Sequence, residues 1–245
     1  MNLASTLGTA GRVLRQLRHD HRTVALLLVV PSVLMALLYW VFDDQPAVFD
    51  RVGPALLAIV PVVVMFVVTS VAMLRERTTG TLERLLAMPL HKLDLLLGYA
   101  IAFAVVAVAQ AGLAGGVSLG LLDLDVAGSG VTLVGTAVVS GVLGSALGLL
   151  ASAFARTEFQ AVQFMPAFVL PQLLLCGLFV PRSTMQPALE AISAALPLSY
   201  AVDAMTAVAG SPGLTADAAA DLGVLAAFVA GSLLLGAGTL RRRTD

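Results

Sequence analysis

Apolar residues fill six long stretches of this chain, 23–42, 54–74, 95–122, 126–155, 159–181 and 222–240. None of the six contains Asp, Glu, Lys, Arg or His. A membrane-crossing helix takes ~20 mostly apolar residues, so each stretch predicts one span. The stretches 95–122 and 126–155 exceed one bilayer, and their helices are expected to tilt or run past the interface. Ahead of the first span, Leu3, Leu7, Ala10, Leu14 and Leu17 recur at helical spacing, offset from a basic stripe of Arg12, Arg15, His19 and Arg22. That pattern predicts an interfacial helix over 1–22, its apolar face in the acyl boundary and its arginines on phosphates. The plainer alternative is a basic tail that only orients the first span. Segment 182–221 stays apolar but is cut by Pro187, Pro197 and Pro212. It predicts two short amphipathic or partly re-entrant helices, around 187–195 and 198–209, forming a helical hairpin before the last span.

Charge fixes the expected orientation. With the N-terminus cytoplasmic, segments 1–22, 75–94, 156–158 and 241–245 hold twelve Lys and Arg residues. The opposite side holds only Arg51 and Arg182. Positive charge is retained on the cytoplasmic side, so both termini are expected there and 182–221 outside. The basic N-terminal region is too long for a cleavable signal peptide, and 41–45 offers no small-x-small cleavage site. The fold class is all-α integral membrane: six transmembrane helices and one transmembrane domain over 1–245.

Composition changes the picture in one respect. Hydrophobic residues make up 59% and charged residues 12%, too apolar for a soluble fold, so lipid must be the solvent for much of the surface. Thirteen of the fourteen basic residues are Arg in an Ala-, Val-, Leu- and Gly-heavy chain, which suggests a GC-rich genome. A multi-pass protein of the bacterial plasma (inner) membrane is expected, with lipid as its solvent and no nucleic-acid partner. Cys176 is the single cysteine, so an intrachain disulfide is excluded.

Several chemistries lack their residues. The P-loop needs G-x-x-x-x-G-K-[ST], and the one lysine, Lys92, sits between His91 and Leu93. The histidines, His19, His21 and His91, are all cytoplasmic by this topology, which leaves an intramembrane serine protease without a base. No H-E-x-x-H occurs, and neither a catalytic residue, a metal nor a cofactor is assigned to this chain. Ion-coupled carriers need charge at membrane depth, and no span has any. Energy for uphill movement must come from another chain.

Uncharged polar residues in the spans include Thr69, Ser70, Gln110, Ser118, Thr136, Ser140 and Ser152, read as interhelical hydrogen-bonding groups. Gln160, Gln163 and Gln172 share a helix with Pro166 and Pro171 and are the candidates for lining a path. Gly112, Gly116 and Gly120, with Gly144 and Gly148, form small-xxx-small ladders suited to close helix contact.

The informative stretch is 75–89. Gly80 with Glu83 suits a helix start and Pro89 its end, and Leu82, Leu85 and Leu86 share one face. Such an apolar knob needs a partner groove, or it re-embeds at the interface. The run Glu76-Arg77-x-x-Gly80-Thr81-Leu82-Glu83-x-Leu85-Leu86-x-x-Pro89 resembles the cytoplasmic-loop motif of the type-2 ABC export permeases. Phe154-Ala155-Arg156-Thr157-x-Phe159-Gln160-Ala161 is similar to the turn before their fifth span. Leu196-Pro197-Leu198-Ser199-Tyr200-x-x-Asp203-Ala204 resembles the signature of their external segment.

The resemblance implies a permease that dimerises, homo- or hetero-, and binds two copies of a separate ATPase carrying ATP and Mg. Glu76, Arg77, Gly80, Thr81, Leu82, Glu83, Leu86 and Pro89 would then form the coupling segment within 75–94. Pro197, Tyr200 and Asp203 would mark the external hairpin, with Asp203 bracing it. Within the family, drug or antibiotic exporters of the daunorubicin-resistance kind look nearest. An uncharged path favours amphiphilic or lipid-like cargo. The reading from another class is a membrane scaffold or sensor that recruits a cytoplasmic partner without transporting.

Overall fold

The computed structural model describes residues 2–87 and 91–239, with side chains described for all but Leu86 and Ala87. Pro89 and Arg241–Arg243, used above, lie outside the described residues, as does the side chain of Leu86. Every regular element among the described residues is helical: α1 (Leu3–His19), α2 (His21–Val41), α3 (Pro46–Thr78), α4 (Thr81–Ala87), α5 (Lys92–Gly120), α6 (Gly130–Ala151), α7 (Glu158–Leu175), a 3-10 turn (Arg182–Thr184), α8 (Pro187–Ala194), α9 (Pro197–Gly210) and α10 (Ala216–Thr239). Helix is what lipid permits, because it satisfies each backbone group within its own segment.

Among the described residues five helices, α2, α3, α5, α6 and α10, are long and apolar enough to cross a membrane; α7, expected as the span 159–181, is not one of them. The pair α8 and α9, bent by 89°, makes six if counted as one broken span. The spans predicted at 126–155 and 159–181 come out shorter. α6 starts only at Gly130, because the preceding loop docks on α9, where Ala127 N–H donates to the Ala209 carbonyl at 2.8 Å. α7 stops at Leu175, and Gly177 turns the chain at φ +93°, a region that favours glycine. α3 is longer than its apolar stretch: Pro46 stands in its first turn and the helix absorbs Asp50 and Arg51.

α3 and α6 form the centre of the bundle, α3 touching α2, α5, α7 and α9, and α6 touching α5, α9 and α10. Their closeness comes from one of the two glycine ladders. A Cβ on Gly144 would stand 2.3 Å from the Val62 carbonyl oxygen, and one on Gly148 would stand 2.1 Å from Thr69 Oγ1. Gly112, Gly116 and Gly120 of the other ladder meet nothing within 4 Å. Of the polar residues expected to bond between helices, Thr69 reaches the Ser145 carbonyl (3.2 Å) and Gln110 the Leu27 carbonyl (3.0 Å). Ser70, Thr136, Ser140 and Ser152 instead bond three or four residues back along their own helix. A hydroxyl on a helix finds that carbonyl without needing a neighbour.

Among the described residues two large apolar clusters fill the interior, beside a small one of Leu74, Ala155 and Ala161. One gathers Phe49, Leu124, Leu198 and Met205 at the α9 end, and the other gathers Val13, Met73, Leu82, Leu95 and Tyr99 at the α1–α4 end.

α1 packs on the bundle through a face offset from Leu3 and Leu7. It buries Thr6, Thr9, Ala10 and Val13 on α5, where Gly98 makes room for Thr9, while Leu3 and Leu7 stay exposed. Asn2 N–H donates to buried Asp94 at 3.0 Å, fastening the start of α1 to α5. Asp20 is the hinge between α1 and α2 and caps α2 through Thr23 N–H (3.2 Å) and Thr23 Oγ1 (2.6 Å). These bonds hold its carboxyl below the usual carboxylate range.

Candidate functional site

α3 ends in three consecutive charged residues whose side chains reach three different neighbours. Successive helical residues point about 100° apart, so one turn of α3 can grip several elements. Arg75 makes a two-point contact with Glu158 at the start of α7, Nε to Oε1 at 2.8 Å and Nη2 to Oε2 at 3.1 Å. Both side chains are more than half exposed. The contact holds the Glu158 carboxyl below its usual range.

Glu76 is buried and accepts from Arg12 of α1 at 2.9 Å and from Gln16 at 3.3 Å, while Arg12 also donates to Tyr99 of α5 at 2.7 Å. Arg77 reaches past the end of α6, donating to the Ala153 carbonyl at 3.5 Å. The end of α3 thus braces α1, α5, α6 and α7 together.

Directly beyond this brace the chain reverses. Thr79 N–H donates to the Arg75 carbonyl (3.0 Å), and Gly80 N–H donates to that of Arg77 (3.3 Å), closing α3. Gly80 adopts φ +73° with nothing near its Cβ position. Conformation, not space, requires glycine here. The Gly80 carbonyl then accepts from Arg84 N–H at 3.2 Å as α4 begins.

Two of the three knob leucines are not displayed. Leu82 is 6% exposed within the cluster of Met73, Leu95 and Tyr99, and Leu85 packs against the same cluster half-buried. Of the two options left open for these leucines, re-embedding describes Leu82 and Leu85. Apolar side chains on a seven-residue helix gain more against the bundle than in water. Glu83 and Arg84 form the exposed side of α4, with Thr81 half-buried.

The three glutamines part company. The turn at 154–161 is a capping structure: Thr157 accepts from Gln160 N–H (3.2 Å), and Gln160 Oε1 accepts from Arg156 N–H (2.9 Å). Gln172 is buried and accepts from Leu198 N–H at 3.2 Å, satisfying a free donor in the first turn of α9. Gln163 is exposed on the outer side of α7. Nearby, Phe66, Phe154, Phe164 and Phe168 line a crevice of about 340 Å³ between α3, α6 and α7.

At the other end, Arg182 forms an ion pair with Asp203 and lies over the Tyr200 ring, its carbon 5.5 Å from the centroid. Pro197 starts α9, and Tyr200 Oη donates to the Ala194 carbonyl at 2.6 Å, closing the corner between α8 and α9. Sequence reasoning singled out Pro197, Tyr200 and Asp203 but missed Arg182 as their partner. It also missed Arg12, Tyr99, Arg75 and Glu158. The basic stripe on α1 and the charge run at 75–77 are the signals the sequence carries for them, and neither names a partner.

A helical bundle with five apolar spans, braced at one end around a short reversed helix, defines a multi-pass membrane protein. The chain belongs to the ABC-2 type transporter family, whose model matches residues 9–209. It is similar to the probable multidrug ABC transporter permease YbhR of Escherichia coli, in strain K12 and in O157:H7. The identity is 30% over 152 residues, covering 62% of this chain and 41% of each relative. The matched stretch therefore spans about two fifths of those relatives' length. A transporter membrane subunit of the bacterial inner membrane follows from these findings.

Proposed function

We propose that the chain is the permease subunit of an ATP-driven exporter that moves a drug-like, antibiotic or lipid-like amphiphile out across the plasma membrane. Two copies of a cytoplasmic ATPase, carrying ATP and Mg, would drive a dimer of permease chains. The observation that carries this reading is the brace made by Arg75, Glu76 and Arg77 immediately before α4. A push on α4 from an ATPase would pass through α3 to α1, α5, α6 and α7 at once, which is what rocking between two states requires.

In this reading α1 and α4 face the cytoplasm with both termini, the α8–α9 hairpin lies toward the outside, and α7 supplies a further pass. Glu83 and Arg84 meet the ATPase, with Thr81 beside them and Gly80 setting the angle. Glu76 and Arg77 transmit the movement from inside the bundle. Gln163 remains the path candidate among the glutamines, and the phenylalanine crevice beside it suits apolar cargo. The multidrug name of the similar E. coli permease supports the same cargo class.

The test is reconstitution into vesicles with and without the cognate ATPase. Substrate movement that needs both chains and ATP supports the proposal; movement driven by a proton gradient without the ATPase refutes it.

A further inference from the structure

The phenylalanine crevice between α3, α6 and α7 opens to the outside of the bundle beside Phe154 and Phe168, 62% and 42% exposed. Its floor is Phe66, buried and stacked on Phe168 with 6.2 Å between ring centroids. Leu147, Leu150 and Phe154 of α6 recur at helical spacing along one wall. Every residue lining it is apolar, so beside the spans α3 and α6 it offers lipid a slot without a polar group.

Positive charge stands at one end of this slot. Phe66 precedes Arg77 by about three turns of α3, so the two share a face, about 16 Å apart along the helix. That is roughly the hydrocarbon depth of one leaflet, half of a ~30 Å core. Arg77 is half-buried and makes a single long contact, 3.5 Å to the Ala153 carbonyl, next to the Phe154 that lines the slot. Among the described residues it has no ion pair, and no carboxylate lies near enough to act on it. Arg156 is exposed; its backbone N–H donates to Gln160, and its guanidinium forms no ion pair among the described residues. Glu158, the nearest carboxylate in sequence, is taken up by Arg75. The joined ends of α3, α6 and α7 are left with two uncommitted arginines.

We infer that this crevice binds one anionic phospholipid, with an acyl chain over Phe66 and Phe168 and the phosphate at Arg77 and Arg156. Basic pockets between membrane helices take anionic head groups, and guanidinium pairs with phosphate through two parallel bonds. A second copy of the chain laid on the slot would cover the phenylalanines and leave the arginines unanswered. The site adjoins the brace, because Arg77 belongs to both. As a binding site it stands without the exporter reading; that the cargo itself is lipid-like rests on that reading.

The test uses the full chain in phosphatidylcholine nanodiscs, without any ATPase, carrying Trp40→Phe and Phe154→Trp. Phosphatidylglycerol or phosphatidylcholine with a brominated chain is added as a minor component, and bromine quenches a tryptophan it touches. The brominated phosphatidylglycerol should quench saturably, one per chain, with at least tenfold preference over the brominated phosphatidylcholine. Trp40 of the unaltered chain, on α2 and outside the crevice, should show no such preference. Arg77→Gln and Arg156→Gln should each cut the preference about fivefold and leave quenching by phosphatidylcholine unchanged. Ala167→Phe fills the slot and should remove the saturable quenching by both lipids.

Because Arg77 also reaches α6, Arg156→Gln decides if the Arg77 variant fails to fold. Equal quenching by the two lipids would overturn the proposal. So would a preference indifferent to Arg156→Gln, or one erased by excess inorganic phosphate at matched ionic strength, which would mark a free-anion site. Absence of the preference with ATP-driven export intact would remove the site and leave the exporter reading; the preference without ATP-driven export would do the reverse.

Discussion

Arg12 and Glu76, sixty-four positions apart, meet at 2.9 Å and join the first helix to the end of the third. Their side chains are 25% and 10% exposed, so the pair is shielded enough to matter and is completed by Gln16 and Tyr99. Losing one partner leaves a charge that the site was built to pair.

Arg12→Met should therefore destabilise the chain by about 2–3 kcal/mol, below the range for a fully buried pair because Arg12 is partly solvated. The double variant Arg12→Met with Glu76→Met should recover part of that loss. Melting temperatures in detergent for both single variants and the double close the cycle. Additive losses would mean that the two residues do not act on each other.

The glycine ladders separate by what faces them. Gly144→Ala sets a Cβ against backbone of α3, where relief needs the helices to part. It should cost at least ~1–3 kcal/mol and lower the yield of monodisperse protein. Gly112→Ala meets open space and should be neutral or stabilising by roughly 0.5–1 kcal/mol. Size-exclusion profiles after heating compare them directly.

Gly80 is a conformational requirement without a steric one. Gly80→Ala should cost about 1–2 kcal/mol from its left-handed backbone. Gly80→Asn should cost less, since Asn tolerates that region better. Because the residue sets how α4 leaves α3, transport should fall with Ala more than stability does, and Asn should restore part of it.

The orientation can be read chemically. In a chain carrying Cys176→Ser, single cysteines at Thr79 and Ser183 should label differently with an impermeant thiol reagent on intact cells. Position 183 should react and position 79 should not. The opposite pattern would invert the topology.

The sequence showed the helices and much of the α8–α9 hairpin, because prolines at 187 and 197 stand in the first turns of α8 and α9. It showed Gly80 as a boundary for the same local reason. It did not show where α7 ends: residues 176–181 stay apolar, and only the backbone reversal at Gly177 stops the helix. Nor did it show which way Leu82 points. A leucine at helical spacing beside charges has the same pattern whether a partner or the chain's own bundle covers it. Arg12 was equally opaque, since a pair across sixty-four positions has no local signature. The charges at 75–77 were legible as a motif, but their three directions come from the tertiary packing of four other helices.

The central claim is that α4 receives the ATPase through its polar side while Leu82 and Leu85 hold it to the bundle. The most direct measurement is co-purification of tagged permease with the cognate ATPase, for Arg84→Glu and Leu82→Asp in parallel. Reversing an exposed charge costs an interface up to several kcal/mol. Arg84→Glu should insert normally and capture about tenfold less ATPase. Leu82→Asp buries a carboxylate and should lose folded permease before the ATPase is added. If Arg84→Glu retains a full complement of ATPase with intact transport, or Leu82→Asp folds normally and loses only the ATPase, α4 does not work as described.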